Sequence, residues 1–277
     1  MIKLKTFGSF TVGNDLTSVQ EGAWRSKKLE KLFVYLAINR NRGVCIEDIS
    51  KAIWQVEEET DNPVGALKNL AYRLRKALRD ASFDEECIVS VRGGLYKWND
   101  DVEVSIDVEE FDRYINEAEF AFSRSKETAI ESYEKAIALY NGDFLSRLTD
   151  THWFMTLNAF YHSRYVNTVK ALAELYIDTG CYEKLEQLCT KAVVYERSDE
   201  QIYSYLILAR MRTKKVQMAF DTYETAKAIM DKDLGVRKTV MLNKVYEELL
   251  SVTKGASSYN IDEVKDDISD CLLYTSP

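Results

Sequence analysis

Apolar residues recur at helical spacing in the stretch NPVGALKNLAYRLRKALRD, which runs from Asn62 to Asp80. At about 100° per residue, one face of the helix collects the apolar side chains. These are Ala66, Leu67, Leu70, Ala71, Leu74, Ala77 and Leu78. The opposite face collects Gly65, Lys68, Asn69, Tyr72, Lys76 and Arg79, with Arg73 and Arg75 flanking it. Asp61 or Asn62 can cap the first turn, and Pro63 suits the first helical position because its missing N–H would have no partner there. The pattern therefore predicts an amphipathic helix with a basic outer face.

The rest of the first hundred residues predicts short strands and two further helices. IKLKTFGSFTV, at residues 2–12, alternates around a Gly-Ser break and is typical of a pair of strands. RSKKLEKLFVYLAINR and IEDISKAIW have the spacing of helices, and Ser26 is positioned to cap the first of them. CIVSV and LYKWN, separated by Arg92-Gly93-Gly94, predict a hairpin. Strands, three helices and a closing hairpin make a winged helix-turn-helix, in which the third helix is the candidate recognition helix and the hairpin is the wing.

From about Val104 the pattern becomes helical and continues almost to Lys254. Helix pairs joined at GDFL and at TGCY predict helical hairpins. A shift of 34 residues brings similar residues into register, and 34 is the period of the tetratricopeptide repeat. The matching pairs are Leu172/Leu206, Tyr182/Val216, Ala192/Ala226 and Tyr195/Ile229. Lys214 stands where this repeat would place the equivalent of Gly180.

The charge is distributed unevenly along the 277 residues. The whole chain carries a net charge of -8, but residues 1–100 hold 16 Lys and Arg against 14 Asp and Glu, a net of +2. Residues 101–277 hold 21 against 31, a net of -10. A positive excess in one half favours a nucleic-acid partner, while a solvated helix face is the alternative interpretation.

The order of the parts resembles a known family. LKNLAYRLRKAL followed by VRGGLYKW resembles the OmpR-type winged helix. Together with FDRYI, YEKAIALYNGDFL, HWF and ALAELYIDTGCYEKL, it resembles the Streptomyces antibiotic regulatory protein family. That family joins such a winged helix to a bacterial transcriptional activation domain of tetratricopeptide-like helices. The resemblance implies a transcriptional activator that binds direct repeats in double-stranded promoter DNA and recruits RNA polymerase. The oligomeric state stays open, with a homodimer on DNA as one arrangement.

The interpretation assigns DNA contacts to particular residues. Lys68, Asn69, Tyr72 and Lys76 would face the major groove, where Asn can read adenine and Lys can read guanine. Phosphate contacts, which fix the register without reading sequence, are assigned to Arg25, Lys27, Arg73, Arg75, Arg79 and Arg92. A second interpretation, from another class, is a protein-interaction scaffold whose winged helix no longer binds DNA.

The sequence gives little indication of catalytic residues, a metal site or a membrane-spanning segment. His152 and His162 lie without Cys or acid partners at ligand spacing, so a packing or surface role is expected for both. The chain contains none of the phosphate-binding glycine motifs or nucleophile motifs, so no catalytic, metal or cofactor-binding residue is predicted. Without these motifs the chain is not expected to be an enzyme. Five cysteines without a CxxC pair, and no apolar stretch of membrane-spanning length, indicate a cytoplasmic protein.

The predicted fold class is mainly α with a small β component. Residues 1–102 form the winged helix domain, and residues 103–254 form the helical activation domain. Residues 255–277 are interpreted as a linker or truncated tail.

Overall fold

The computed structural model describes residues 1–14, 17–20, 22–55, 62–83, 85–91, 94–234 and 239–256. Its strands are β1 Ile2–Lys5, β2 Thr11–Gly13, β3 Ser18–Gln20, β4 Ile88–Val91, β5 Leu95–Trp98 and β6 Val104–Ile106. The first helices are α1 Lys27–Ile38, α2 Ile46–Ile53, α3 Pro63–Asp80, α4 Asp107–Ala121 and α5 Lys126–Leu139. The later helices are α6 His152–Asp178, α7 Tyr182–Tyr195, α8 Glu200–Arg212, α9 Val216–Ile229 and α10 Val240–Ala256. The predicted class, mainly α with a small β component, is confirmed.

The N-terminal strands form a four-stranded sheet in the order β3-β2-β1-β6. β1 pairs antiparallel with β2, as the alternation in residues 2–12 predicts. β1 also pairs in parallel with β6, so that Ile2 lies opposite Val104 and Leu4 opposite Ile106. The prediction that the chain is helical from Val104 onward is wrong for Val104–Ile106, which form β6. VSI is short and rich in β-branched residues, and the exposed edge of β1 supplies the partner that makes it a strand.

Helices α1, α2 and α3 pack together, and the hairpin of β4 and β5 lies against α1. The hairpin pairs Ile88 with Trp98 and Val91 with Leu95, which confirms the predicted strand pair. The buried Trp98 ring meets Phe33 of α1 edge-on at 5.4 Å between centroids. The apolar residues that predicted α1 are all buried, namely Leu29, Leu32, Phe33, Leu36 and Ala37. The segment between α1 and α2 joins the hairpin through a bridge between Val44 and Tyr96.

The first compact unit of the chain runs from Met1 to Thr168 and includes α4 and α5. Asp107, the first residue of α4, accepts the backbone N–H groups of Thr6 at 2.7 Å and Phe7 at 3.0 Å. The segment containing GDFL bonds to the same part of the sheet, since Leu145 N–H donates to the Thr6 carbonyl at 2.9 Å. The division at residue 102 stays a prediction, and these contacts join residues on either side of it.

The second unit begins at Val169 and contains α7, α8, α9 and α10. α7 and α9 have the same length and start 34 residues apart, as the repeat predicts. The turns before them repeat as well. Cys181 N–H donates to the Tyr176 carbonyl at 2.8 Å, and Lys215 N–H donates to the Arg210 carbonyl at the same distance. The helical repeat is confirmed within this unit by geometry as well as by sequence.

Gly180 and Lys214 occupy equivalent positions in the two turns and share a left-handed backbone, with φ of 71° and 63°. A glycine adopts this region freely, whereas a residue with a Cβ is strained there. Lys214 is exposed, so burial of its side chain does not offset that strain. The second repeat therefore keeps the same turn without the glycine, and the substitution lowers stability locally without changing the fold.

Helix α10 ends at Ala256, two residues beyond the predicted end of the helical half. Residues 257–277, most of the predicted linker or tail, lie outside the described residues. Within the part of the chain that the structure describes, no helix is both long enough and apolar enough to cross a bilayer.

Lys214→Gly should stabilise the protein by about 0.5–1 kcal/mol, because glycine removes the left-handed strain at the end of α8. Thermal unfolding of the full chain measures the change. Lys214→Ala keeps the Cβ and is the matched control, for which we expect no gain. Equal midpoints for the wild type and Lys214→Gly would contradict the strain argument.

Ala192→Phe and Ala226→Phe should each destabilise the protein by about 1–3 kcal/mol, because both alanines are fully buried at equivalent positions between packed helices. Val194→Phe, on the same helix but 69% exposed, is the control and should leave the unfolding midpoint near that of the wild type. Wild-type midpoints in both alanine variants would refute the packing role of the repeat.

Candidate nucleic-acid interface

The N-terminus of α3 is closed by the cap that the sequence predicts. Asn62 Oδ1 accepts the Gly65 backbone N–H at 2.8 Å, and Pro63 occupies the first turn. The first N–H groups of a helix lack intrahelical partners. The Asn62 side chain accepts from one of them, and Pro63 removes another because proline has no N–H. The start of α3 is therefore set locally.

The apolar face of α3 is buried against α1 and α2. Five of the seven residues predicted for this face are buried, namely Leu67, Leu70, Ala71, Leu74 and Leu78. Ala66 and Ala77 lie at its margins and are half-buried. Because burial fixes one side of the helix, the opposite side must face outward.

The outward face presents the four residues predicted to read bases. Lys68, Asn69, Tyr72 and Lys76 are all exposed and are spaced three or four residues apart along the helix. Tyr72 is 67% exposed, so packing in the core does not explain a large aromatic side chain at this position. The face combines ammonium, amide and phenol groups, which are hydrogen-bonding groups suited to base edges.

The flanks of this face carry three of the predicted phosphate-binding arginines. Arg73 and Arg79 are exposed, and Arg75 is half-buried. From Pro63 to Arg79 the helix holds five Lys and Arg and no Asp or Glu. An acid-free basic helix creates a positive potential that attracts phosphate.

Arg25 and Lys27 are exposed and lie just before and at the start of α1. Arg25 has a left-handed backbone, with φ of 52°, and its N–H donates to the Gly22 carbonyl at 2.9 Å. Ser26 occupies the cap position as predicted, but its side chain makes no capping hydrogen bond. Arg92 lies outside the described residues. The structure thus brings the α3 residues together on one face, while Arg25 and Lys27 lie at the start of α1.

The sequence analysis did not single out two buried charged residues of α1, Glu30 and Lys31, because they lie among the apolar residues of that helix. Glu30 is buried and accepts the Gly22 N–H at 2.9 Å, which holds the turn that carries Arg25. Lys31 is also buried and pairs with Asp150 at 2.5 Å. Their position within the apolar stretch of α1 was the signal that could have identified them, because a charged side chain is seldom fully buried without a partner.

The histidine environment fits the predicted packing role. His162 Nδ1 lies 2.8 Å from Asp143 Oδ1, and the Tyr140 hydroxyl donates to the same oxygen at 2.5 Å. The hydrogen bond from His162 lowers the pKa of Asp143, and the Tyr140 hydroxyl adds to this effect against the opposing effect of burial. Across the described ranges, no group of three or more His, Cys, Asp or Glu side chains could hold a metal ion.

Comparison with known proteins assigns the helical part of the chain. The bacterial transcriptional activator domain family matches residues 106–250. The transcriptional regulator RedD of Streptomyces coelicolor is 24% identical over 238 residues, which cover 85% of this chain and 67% of RedD.

Among solved structures, Mycobacterium tuberculosis EmbR in complex with a low-affinity phosphopeptide is similar in fold, with a TM-score of 0.66 and 21% identity. The match covers 90% of this chain, and this chain spans only 64% of the length of that EmbR chain. The predicted resemblance to the Streptomyces antibiotic regulatory proteins is confirmed for the activator domain. Because the family match takes in more than half of the 277 residues, the chain belongs to the bacterial transcriptional activator domain family and is a transcriptional regulator.

Proposed function

We propose that this regulator binds double-stranded promoter DNA through α3, with α1, α2, α3 and the hairpin of β4 and β5 acting as an OmpR-type winged helix-turn-helix. One observation carries the proposal. α3 is a capped helix whose apolar face is buried and whose exposed face is basic, acid-free and rich in hydrogen-bonding groups. A helix of this kind fits the major groove, which is wide enough to admit it.

In this proposal the exposed face of α3 reads base edges. Asn69 has the amide geometry that pairs with adenine, while Lys68 and Lys76 donate to guanine. Tyr72 supplies a phenol that can donate or accept and a ring that can contact the thymine methyl group. These four residues determine sequence preference.

The arginines and Lys27 hold the DNA backbone in this proposal. Arg73, Arg75 and Arg79 lie beside the reading face, and Arg25 and Lys27 lie at the start of α1. Arg92 is proposed for the same role from its place in the sequence between β4 and β5. Each phosphate contact releases counterions, so it adds to affinity and to salt dependence without reading sequence.

The division of labour follows the predicted domains. Residues 1–102 bind DNA, while residues 103–254 contact RNA polymerase or another partner and so activate transcription. The family supports this assignment, since it is a family of transcriptional regulators and not a class of enzyme. A homodimer on direct repeats and a cytoplasmic location complete the proposal.

Asn69→Ala should weaken binding to a duplex selected by the wild-type protein by about 1–3 kcal/mol and relax base preference at one position. The salt dependence should stay unchanged, because no charge is lost. Arg73→Ala should instead weaken binding to every duplex and reduce the salt slope by about one unit. Fluorescence anisotropy over a series of salt concentrations measures both effects.

Two exposed residues of α10 provide matched controls. Asn243→Ala removes the same amide, and Lys244→Ala removes a charge, at exposed positions far along the chain from α3. Neither variant should change DNA affinity. If the wild-type chain shows no preference for any selected duplex at low salt, the scaffold interpretation replaces this proposal. If Asn69→Ala behaves like Asn243→Ala, α3 does not read bases.

A further inference from the structure

The C-terminal end of α2 is capped by groups that come from elsewhere in the chain. The last carbonyls of a helix have no intrahelical partner and need donors from outside. The Ala52 carbonyl accepts the Thr151 hydroxyl at 2.7 Å, and the Ile53 carbonyl accepts Lys31 Nζ at 3.3 Å. Thr151 immediately precedes α6 in the helical half, so that half supplies part of the cap on a helix of the DNA-binding region.

Lys31 brings a positive charge to this helix end. Its side chain is 2% exposed, and its Nζ lies 2.5 Å from Asp150 Oδ1 and 5.7 Å from the centre of the Phe154 ring. A cation is favourable near the C-terminus of a helix, where the helix dipole is negative. A buried ammonium is strongly unfavourable without a partner, so the position of Lys31 depends on Asp150.

Asp150 also holds the chain where it leaves α2. Its Oδ2 accepts the side-chain amide of Gln55 at 3.3 Å, two residues after α2 ends. Burial alone would raise the pKa of Asp150, but the hydrogen bond and charge of Lys31 outweigh that effect and lower it. A lowered pKa in the folded state means that the pair contributes fully at neutral pH and is lost only as the pH falls through the acidic range.

The contact extends along α1. The Trp153 ring meets Tyr35, one helical turn after Lys31, edge-on at 4.8 Å between centroids. The segment Asp150–Phe154 therefore touches both α1 and the end of α2, and these are the two helices against which α3 packs. We call this segment the clamp.

We propose that the clamp positions the DNA-reading helix, with Asp150 and Thr151 as positioning residues that act through α1 and α2. This inference rests on the proposed DNA binding by α3. α3 begins ten residues after α2 ends, and its buried face packs on α1 and α2, so the placement of these two helices sets the direction of its outer face. The helical half thus takes part in sequence recognition without touching DNA.

Thr151→Val tests the proposal in the full chain, because it keeps the shape of the side chain and removes the donor to Ala52. Binding to a wild-type-selected duplex should weaken about tenfold, since base contacts depend on placement to a fraction of an ångström. Affinity for random duplex and the salt slope should change little, because phosphate contacts tolerate small displacements and no charge is lost. Thr151→Ser keeps the hydroxyl and should restore selective binding.

Thr168→Val is the matched control. Thr168 is also a buried threonine of the first unit, and its hydroxyl donates to the Arg164 carbonyl of its own helix at 2.8 Å. It should lose stability to a similar extent and keep the wild-type ratio of selected to random binding. Unfolding midpoints are measured for every variant, and binding is measured well below them.

Asp150→Asn, at a partly exposed position, keeps an oxygen that can accept a hydrogen bond from Lys31 Nζ and repeats the test if Thr151→Val does not fold. It should lower the ratio of selected to random binding in the same way. An unchanged ratio in the folded variants, or an equal loss in Thr168→Val, would overturn the clamp as a positioning device. Absence of selective binding by the wild type would instead overturn the proposed function, so the two failures are distinguishable.

Discussion

The two faces of α3 impose the constraint on which the proposed DNA-binding region depends. Its apolar stripe can leave water only by packing on α1 and α2, and that burial contributes more stability than any single polar contact nearby. The polar face of α3 must therefore point away from α1 and α2. The cap at Asn62 fixes where the helix starts, and burial of the apolar face determines which residues face outward. In the proposed function, recognition is a consequence of packing, since the core determines which side chains of α3 are exposed.

This constraint can be predicted from the sequence because it depends on residues that lie close together along the chain. The 3.6-residue period, the Asn-Pro start and the absence of acids can all be seen in one stretch, and the buried face of α3 follows the prediction closely. The period of 34 is local in the same sense. It pairs Tyr182 with Val216, which are the first residues of α7 and α9, and it identifies Lys214 as the residue that replaces a glycine.

The features that escaped prediction depend on residues about a hundred positions apart. β6 is a strand because the edge of β1 is available to it, and Asp107 is useful because Thr6 and Phe7 present N–H groups to it. Lys31 lies within an apolar helix and finds Asp150 in a distant segment. No period or motif records such pairings, since either partner alone is an ordinary charged or β-branched residue. The same pairings connect the N-terminal strands and α1 with residues of the activator domain.

Chemical protection of the bound DNA tests the central claim most directly, because it reports which groove the protein occupies. Guanine N7 is accessible to methylation in the major groove, whereas adenine N3 lies in the minor groove. On a duplex selected by the 277-residue chain, α3 in the major groove should protect guanine N7 within the site, and Lys68→Ala together with Lys76→Ala should remove that protection. Protection confined to adenine N3, or guanine protection that survives both substitutions, would contradict the assignment of α3 as the reading helix.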